Sequence, residues 1–438
     1  MPSSNDILLT LNMEGAFIRF DDDCLSEEKI GSITYLVYTG TQTDMIPDVC
    51  PRCGCIHHDG NIIKYGTKAA MIKIPPISNR PALLKFKKQR FLCKECGKTF
   101  TVDSTVVKRN CSISQNTLHA IHLKSKEKKS QKDIAKELGV SHGTVNALSM
   151  KVYSEHVVMK NFLPKHLCFD EFKSVKKSSG KMSFLFLNAE TGAIIDILED
   201  RKYSALERYF NTFTTEARAA VETVCMDMYV PYKQLVKALF PNAKIIIDRF
   251  HIIQLISRSL NQTRTSVMKN DKTNYNKLKR YWKLLLKNEE KLNDTEYKKY
   301  VCFKKLMREK DIVDYLLSTS QELKETYELY QDLLSAFRRK DADGFFKACK
   351  SASSEISGYM KTSIKTLCKN ENEIRNALTE KWSNGIIEGT NNLIKVIKRI
   401  AFGYRSFVSF KTRILLITDT LISTHQKGDG IISDAISQ

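Results

Sequence analysis

Three acidic residues stand where the surrounding sequence changes character. Asp170 ends the apolar run 167–169, Asp227 ends the apolar run 224–226, and Glu388 lies near the start of a stretch with helical periodicity. Carboxylates at the ends of neighbouring strands and on a nearby helix can converge on hard divalent cations, which take oxygen ligands. The three acids therefore predict a two-metal phosphoryl-transfer site. The alternatives are surface aspartates at strand ends and, for Glu388, a first-turn acid favoured by the helix dipole.

Polar residues recur along the stretch that follows Glu388. Spacings of four, three and four place a carboxylate, an amide and two cations on one helix face, and isoleucines occupy the other sides. Such a stripe is expected where a metal-bound phosphate backbone passes, and its members are Glu388, Asn392, Lys395 and Arg399.

Asp248 and His251 lie close to a third strand end. Asp248 follows the apolar run 245–247, so it rivals the other acids for a metal position, but the sequence favours a helix N-cap or a supporting role behind the ligands. His251 could orient a water or a phosphate, and the alternative is a helix-face histidine packed against its neighbours.

Two Cys-x-x-Cys pairs lie far apart in the chain, and each is followed by glycine. Thiolates three residues apart on a tight turn point the same way, so two pairs complete a tetrahedral four-sulfur site for structural Zn²⁺. The alternatives are a redox pair or free thiols. Cys55 lies beside the first pair and is expected to be a bystander. The expected ligands are Cys50, Cys53, Cys93 and Cys96.

Residues 130–148 read as two short helices about a turn at Gly139, with Ser141 capping the second helix. In a helix-turn-helix the second helix enters the major groove. The alternative is a helical hairpin that binds no nucleic acid. We expect Ser141, His142, Thr144 and Asn146 to face base edges or phosphates, and Lys128 and Lys129 to face phosphates.

The composition indicates a polyanionic partner. The formal net charge is +21 and the sequence pI about 9.3, which attracts nucleic acid with salt-sensitive affinity, although other basic proteins share this charge. No signal peptide is evident, and no stretch approaches the ~20 apolar residues that span a bilayer. We therefore expect a cytoplasmic protein without membrane association.

The organisation of the chain predicts a multidomain α+β protein of about three or more domains. Five strands with interleaved helices, the first three as a meander, indicate a mixed α/β sheet; they are expected at 167–172, 182–188, 193–198, 221–226 and 244–247. We expect a lead-in over 1–46, a zinc-binding domain over 47–105, a helix-turn-helix DNA-binding domain over 110–158, a catalytic domain over 164–256 and 380–425, and an all-helical insertion over 257–379.

Several motifs together resemble a bacterial insertion-sequence transposase of the group named after an L-three element. Besides the zinc knuckles and the helix-turn-helix, they are Phe169-Asp-Glu-Phe172, Asp227-Met-Tyr229, Asp248-Arg-Phe-His251, Asn391-Asn392-Leu-Ile-Lys395 after Glu388, and Gly403-Tyr-Arg-Ser-Phe407. The similarity runs from about Cys50 to Ile417, and the block from Glu388 to Phe407 is its most specific part.

The resemblance implies a ribonuclease-H-like catalytic domain with a DDE triad of Asp170, Asp227 and Glu388. It implies two Mg²⁺ or Mn²⁺ ions, Lys395 close to bound DNA, and backbone contacts by Tyr404 and Arg405. The implied partner is double-stranded DNA, both the terminal inverted repeats and the target. Further copies of the chain are also implied, in a homodimer or larger synaptic assembly, and the implied location is the bacterial nucleoid. The alternatives are a DNA-binding regulator and a structure-selective nuclease on the same fold.

Overall fold

The computed structural model describes residues 3–43, 46–154 and 157–420. These divide into two compact units. Unit 1 comprises residues 1–157, 175–177 and 394–438, and unit 2 comprises residues 158–174 and 178–393. The ends of two predicted segments, 155–156 and 421–425, lie outside the described residues.

Unit 1 begins with a helix and a five-stranded sheet. The order is β1-β2-β4-β3, with β5 on β4; β2 and β4 run parallel and the other neighbours antiparallel. The first 46 residues, expected only as a lead-in, thus contribute two strands to the sheet. The elements are α1 (Ser4–Thr10), β1 (Ile18–Ile30), β2 (Ile33–Gln42), β3 (Ile62–Ile77), β4 (Arg80–Cys93) and β5 (Thr99–Thr101).

The long spacer between the cysteine pairs is a β-hairpin. Ser78 and Asn79 both have positive φ, +49° and +62°, and form a two-residue connection between the paired residues Ile77 and Arg80. The same register pairs Cys93 with Ile62, close to the first knuckle. The hairpin therefore returns the second cysteine pair to the first.

Three helices follow in unit 1, namely α2 (Gln115–Lys124), α3 (Gln131–Glu137) and α4 (His142–Ser154). Ile121 of α2 packs with Ile134, Leu138 and Val145 of the helix-turn-helix in one small core. Helix α2 therefore belongs to the same bundle as the helix-turn-helix.

Unit 2 is built on a mixed sheet in the order β10-β9-β6-β7-β8. Strands β6, β7 and β8 form an antiparallel meander, and β6, β9 and β10 run parallel, so the strand and meander predictions are confirmed within two residues. The strands are β6 (His166–Lys173), β7 (Met182–Asn188), β8 (Ile194–Leu198), β9 (Thr223–Met226) and β10 (Lys244–Ile247).

An aromatic core covers one face of this sheet. Phe169 of β6 contacts Phe184 and Phe186 of β7, and also Phe210 and Phe240 from outside the sheet. All five rings are fully or almost fully buried. Because neighbouring residues of a strand face opposite sides, this packing turns Asp170 to the other face of β6.

The remaining elements are mostly helical. Between β8 and β10 lie α5 (Tyr203–Phe210), α6 (Thr215–Ala219) and α7 (Val230–Leu239). Then come α8 (Arg249–Asn270), α9 (Tyr275–Arg280), α10 (Trp282–Leu286), β11 (Lys298–Lys299), β12 (Leu306–Met307), α11 (Glu309–Leu317), α12 (Gln321–Arg338), α13 (Ala342–Lys350), α14 (Gly358–Lys369), α15 (Glu371–Thr379), α16 (Gly385–Ile400) and α17 (Phe407–Ile417).

Two details differ from the sequence expectation. The segment 257–379, expected to be all helical, contains the short antiparallel pair β11 and β12, whose two-residue strands are too brief for periodicity to reveal. Helix α8 also runs through the expected boundary at 256 and 257.

From residue 394 onward the described chain belongs to unit 1. No helix among the described residues is long and apolar enough to cross a bilayer.

Candidate functional site

Three aspartates lie in or directly after the three parallel strands of unit 2, Asp170 within β6, Asp227 directly after β9 and Asp248 directly after β10. Cys225 of β9 pairs with Cys168 of β6 and with Ile246 of β10. Two residues farther along each strand come Asp170, Asp227 and Asp248. Neighbouring strands lie about 4.8 Å apart, so the register itself brings the three carboxylates together at one edge of the sheet.

His251 closes one side of this acidic group. Its Nε2 lies 2.9 Å from Asp227 Oδ1 and 3.8 Å from Asp248 Oδ2. One ligand atom from each of these three residues lies within 4.8 Å of the others, close enough to share one metal ion. Hydrogen bonding and attraction to Asp227 raise the pKa of His251, and the imidazolium in turn offsets part of the acidic charge.

Asp170 is the most perturbed acid of the group. Burial, followed by repulsion from Asp227 and Glu171, raises its pKa to about 6. Its two oxygens are already oriented, since the Glu171 backbone N–H donates to Oδ1 at 2.7 Å and Asn391 Nδ2 donates to Oδ2 at 2.6 Å. The surroundings of Asp170 disfavour its ionised form, and a bound cation would stabilise that form. The Asp170 carboxylate is therefore well suited to bind a cation.

Asp248 has a double role in the geometry. Its side chain caps α8 by accepting from the Phe250 backbone N–H at 3.2 Å, as the sequence predicted. Burial raises its pKa, and the charges of Asp227 and Glu388 raise it further. Glu388 is thus near enough to act electrostatically on this acidic group, although it is itself exposed on the first turn of α16.

Sequence reasoning missed the residues that join α16 to the sheet. Asn391 donates to Asp170, and Asn384 Nδ2 donates to the Phe169 carbonyl at 3.3 Å. Both asparagines are buried. A signal existed for Asn391, because it shares the buried stripe of α16 with Ile387 and Ile394, and an amide on such a stripe needs a polar partner.

The stripe predicted along α16 is exposed along its whole length. Glu388, Asn392, Lys395 and Arg399 are exposed, whereas Ile387, Ile394 and Ile397 are buried. Farther on, Arg405 is exposed, but Tyr404 is half-buried with its ring stacked on Phe410 at 4.8 Å between centroids. Burial raises the pKa of Tyr404. The DNA contacts expected of these residues stay predictions.

The four predicted zinc ligands lie together in unit 1. Their sulfur atoms all fall within 4.8 Å of one another, with Cys50 and Cys96 at 4.0 Å and Cys53 and Cys93 at 3.8 Å. A tetrahedron with Zn–S bonds of about 2.3 Å requires sulfur separations of about 3.8 Å. The Cys50–Cys96 and Cys53–Cys93 separations are close to this value, so the four thiols are placed to bind Zn²⁺.

Local backbone conformation explains how each knuckle forms. Gly54 and Gly97, the residues after each second cysteine, have φ of +76° and +65°, which glycine adopts without strain. The backbone N–H of Cys96 is the main cause that lowers the pKa of Cys93 to about 6, favouring the thiolate that metals bind. Cys55 contacts Cys93 at 3.4 Å between sulfur atoms but lies outside the four-cysteine group.

The helix-turn-helix has the geometry expected from the sequence. Gly139 turns the chain at φ +61°, and Ser141 Oγ accepts from the Thr144 backbone N–H at 3.0 Å. Ser141 and His142 are exposed, and Thr144 and Asn146 are half-buried. The second helix therefore presents its N-terminal residues to solvent, as a groove-reading helix must.

The lysines before α3 are not equally available to phosphates. Lys124 and Lys129 both pair with Glu137, each at 2.8 Å, so part of the expected positive charge is neutralised within the domain. Lys128 is exposed. Of the two lysines expected to face phosphates, Lys128 is the better placed.

Arg413 of α17 fixes the turn that precedes the helix-turn-helix. Its side chain is 1% exposed, and its guanidinium donates to the carbonyls of Ser125, Glu127 and Lys129, the last at 2.8 Å. Burial lowers the pKa of Arg413. Helix α17 is therefore an integral part of the helix-turn-helix module in unit 1.

Two family models match this chain. Residues 167–414 match the transposase family named after the L-three element, ISL3. Residues 46–96 match the zinc finger of the transposases of IS204, IS1001, IS1096 and IS1165, which supports structural Zn²⁺ at the four cysteines. Because the first match covers more than half of the 438 residues, this chain belongs to the ISL3 transposase family.

Two relatives show partial similarity. The chain is 23% identical over 233 residues to the transposase for insertion sequence element IS1001 of Bordetella parapertussis, covering 49% of this chain and 52% of that protein. It is 43% identical over 110 residues to an ATP-dependent protease of Lactococcus lactis subsp. lactis, covering 25% of this chain and 35% of that protein. The matches thus span about half and about a third of these relatives' lengths. The short match to the protease does not indicate protease activity in this chain.

Proposed function

We propose that this protein is a DDE-type transposase that cleaves DNA at the ends of an insertion sequence and joins the freed 3′-hydroxyl ends to target DNA. The observation that carries the proposal is the row of Asp170, Asp227 and Asp248 in one register, with Glu388 acting on it from α16. The strand order and the antiparallel meander support a ribonuclease-H-like catalytic domain, with the helical segment before α16 as an insertion.

The donor set fits a pair of hard divalent cations such as Mg²⁺ or Mn²⁺. Carboxylate oxygens are their preferred ligands, and a group of like charges that raises the pKa of Asp170 and Asp248 is relieved by bound positive charge. We assign Asp170, Asp227 and Glu388 as the ligands; of these, Asp227 belongs to the group of ligand atoms within 4.8 Å of one another, which it forms with Asp248 and His251. When bound, such ions activate the attacking oxygen and stabilise the leaving oxygen of a phosphodiester.

The chain's own residues then orient these ligands. Asn391 holds Oδ2 of Asp170, and the Glu171 backbone N–H holds Oδ1, so the carboxylate cannot rotate away. His251 fixes Asp227 through its 2.9 Å contact. We assign Asp248 to capping α8 and supporting this arrangement. Asn392, Lys395 and Arg399 extend from Glu388 as a polar, cationic face for the DNA backbone.

Unit 1 supplies recognition in this proposal. The second helix of the helix-turn-helix, α4, reads the terminal inverted repeats in the major groove through Ser141, His142, Thr144 and Asn146. The net charge of +21 favours DNA at physiological salt. Because transposition must pair two ends, we propose a homodimer or larger assembly on DNA.

A cleavage assay tests the proposal. Inverted repeats in the DNA flanking the gene provide the substrate, as labelled duplexes incubated with purified protein and Mg²⁺. We expect strand cleavage at the repeat ends and its loss in Asp170→Asn by at least about a thousandfold, as for removal of a residue that acts in the transition state. Glu216→Gln, an exposed carboxylate of α6, is the matched control and should cleave normally.

The same assay separates the alternatives. If the protein binds the repeats but shows no strand cleavage that depends on Asp170, it is a DNA-binding regulator. Cutting of branched DNA without sequence preference identifies a structure-selective nuclease. Either result refutes the transposase proposal.

A further inference from the structure

Phe402 lies between α16 and α17, and its side chain is 98% exposed. The next most exposed large hydrophobic residue among those the structure describes is Val157, at 71%. A phenylalanine ring that contacts almost nothing of its own chain gains no stability from burial. Its position therefore needs an explanation outside the packing of the fold.

The backbone at Phe402 makes this position more unusual. The Gly403 N–H donates to the Lys398 carbonyl at 2.9 Å and the Phe402 N–H to the Arg399 carbonyl at 3.0 Å, the bond pattern of a Schellman helix end. In that pattern the left-handed residue is usually glycine, but here it is Phe402, with φ +53°. A bulky side chain at positive φ is disfavoured, so this ring is maintained against a conformational cost.

The loop that carries the ring is anchored on both sides. Tyr404 stacks on the fully buried Phe410, and Ser406 caps α17 by accepting from the Ser409 backbone N–H at 3.4 Å. On the other side, the two hydrogen bonds at the C-terminal end of α16 hold the loop. Phe402 is thus presented on a fixed support, which reduces the entropy lost when it binds a ligand.

The surroundings of the ring indicate the chemistry of that ligand. Arg399, in the last turn of α16, and Arg405, three residues after Phe402, are both exposed. An exposed apolar ring with an exposed arginine three residues before it and another three residues after it is suited to a partner that offers flat aromatic faces at regular spacing along a chain of negative charge. An exposed DNA base with its flanking phosphates has this combination.

We propose that Phe402 stacks on an unstacked DNA base, while Arg399 and Arg405 contact the phosphates on either side. This assignment rests on the proposed function, because it takes DNA as the partner. It gives unit 1 a second DNA-contacting element beside the helix-turn-helix. That element recognises an opened position in the duplex, whereas α4 reads paired bases.

Two probes of the same sequence test the assignment. One is a fully paired terminal-repeat duplex, and the other carries an abasic site opposite one base near the repeat end, so that this base is unpaired and costs less free energy to unstack. We expect Phe402→Ala to weaken binding of the abasic probe about 5- to 100-fold, the loss that corresponds to stacking of one base. Phe402→Trp should restore binding, because indole also stacks.

Two further variants separate stacking from a fold defect. Phe402→Gly should raise the melting temperature by a few degrees, since glycine tolerates the positive φ, yet should bind the abasic probe as poorly as Phe402→Ala. Phe17→Ala removes an exposed phenylalanine from a different loop and should change neither property. A fold defect would instead lower stability and affinity together.

The outcomes that overturn the assignment are distinct from failure of the proposed function. If Phe402→Ala binds both probes like the unaltered protein, which still cleaves the repeats, the stacking role is wrong and the transposase proposal stands. If Phe402→Ala instead reduces self-association in sedimentation without affecting DNA affinity, the ring is an anchor for a second copy of the chain. If Asp170→Asn abolishes no cleavage but Phe402→Ala weakens binding, only the proposed function fails.

Discussion

Replacing Asp170 with asparagine should stabilise unit 2 in the absence of metal while abolishing its chemistry. In the folded protein the pKa of Asp170 rises from 3.8 to about 6, mainly through burial. Between about pH 4 and pH 6 the unfolded chain therefore releases a proton that the folded chain retains, so stability falls as pH rises. A pKa shift of about two units corresponds to about 3 kcal/mol of folding stability. This contribution is present below about pH 4 and is fully lost above about pH 6.

The surrounding hydrogen bonds can accommodate the amide. Oδ1 of Asn391 is buried and has no hydrogen-bond partner among the described residues. If the Asn391 side chain turns over, this oxygen accepts from the new amide, while the Glu171 backbone N–H keeps its acceptor. The substitution therefore removes an unfavourable charge and leaves one buried polar group unpaired, Asn391 Nδ2, where the unaltered protein leaves Asn391 Oδ1.

Thermal unfolding measured at pH 4 and pH 7.5, without metal, checks this reasoning. We expect Asp170→Asn to match the unaltered protein near pH 4 and to melt about 6–12 °C higher at pH 7.5, from ~2–4 °C per kcal/mol for a unit of this size. Added Mg²⁺ should then stabilise the unaltered protein but not the variant.

Glu171→Gln is the matched control from the same strand. Glu171 pairs with Arg201 and accepts from the Tyr232 hydroxyl at 3.2 Å, so its neutralisation should lower the melting temperature. If Asp170→Asn instead melts at or below the unaltered protein at pH 7.5 without metal, the buried charge of Asp170 does not destabilise unit 2.

Three other perturbations have defined outcomes. Cys93→Ser should abolish the one bound zinc measured by elemental analysis, whereas Cys55→Ser should retain it; equal zinc content in both variants would contradict the four-cysteine site. Arg413→Met should destabilise unit 1 by about 3–5 kcal/mol in urea unfolding, because three carbonyls lose the donors that the guanidinium supplies, and a change below about 1 kcal/mol would show that α17 does not fix this turn. His251→Ala should weaken Mg²⁺ binding about 10- to 100-fold, as loss of a residue that orients a ligand, whereas unchanged affinity would remove His251 from the site. Hydrogen bonding and attraction to Asp227 raise the pKa of His251 in the folded protein. The stability that this pair contributes is therefore present below the pKa of the unfolded chain and is lost as pH rises through the pKa of the folded protein. Across that pH range the unaltered protein should lose more stability than His251→Ala.

Local pattern was sufficient for the strands that carry the acids. Short apolar runs ending in a carboxylate predicted β6, β9 and β10 within two residues, because buried parallel strands are apolar on both faces. The cysteine spacing and the helix-turn-helix were equally readable, since a turn glycine, a capping serine and a buried stripe all lie within about twenty residues of one another.

Long-range partners were not readable. The bond from Asn391 to Asp170 spans 221 residues, and nothing in the local pattern names the partner of a buried amide. The strands β1 and β2 were missed as part of the sheet because their apolar and polar alternation is irregular, with a register shift between Phe20 and Leu25. Asp248 was ranked correctly as a cap, but its place in the acidic row depends on strand register, which only pairing fixes.

The contact between Arg413 and the turn before α3 has a consequence for synthesis on the ribosome. Arg413 is 284 residues beyond Lys129, whose carbonyl it holds. Translation of α4 therefore precedes that of its support, and an unfinished nascent chain carries this helix on an incompletely packed bundle. The bundle is complete only after the acids of unit 2 have also been made. A polypeptide cut short before Arg413 would lack the guanidinium that holds the turn before α3.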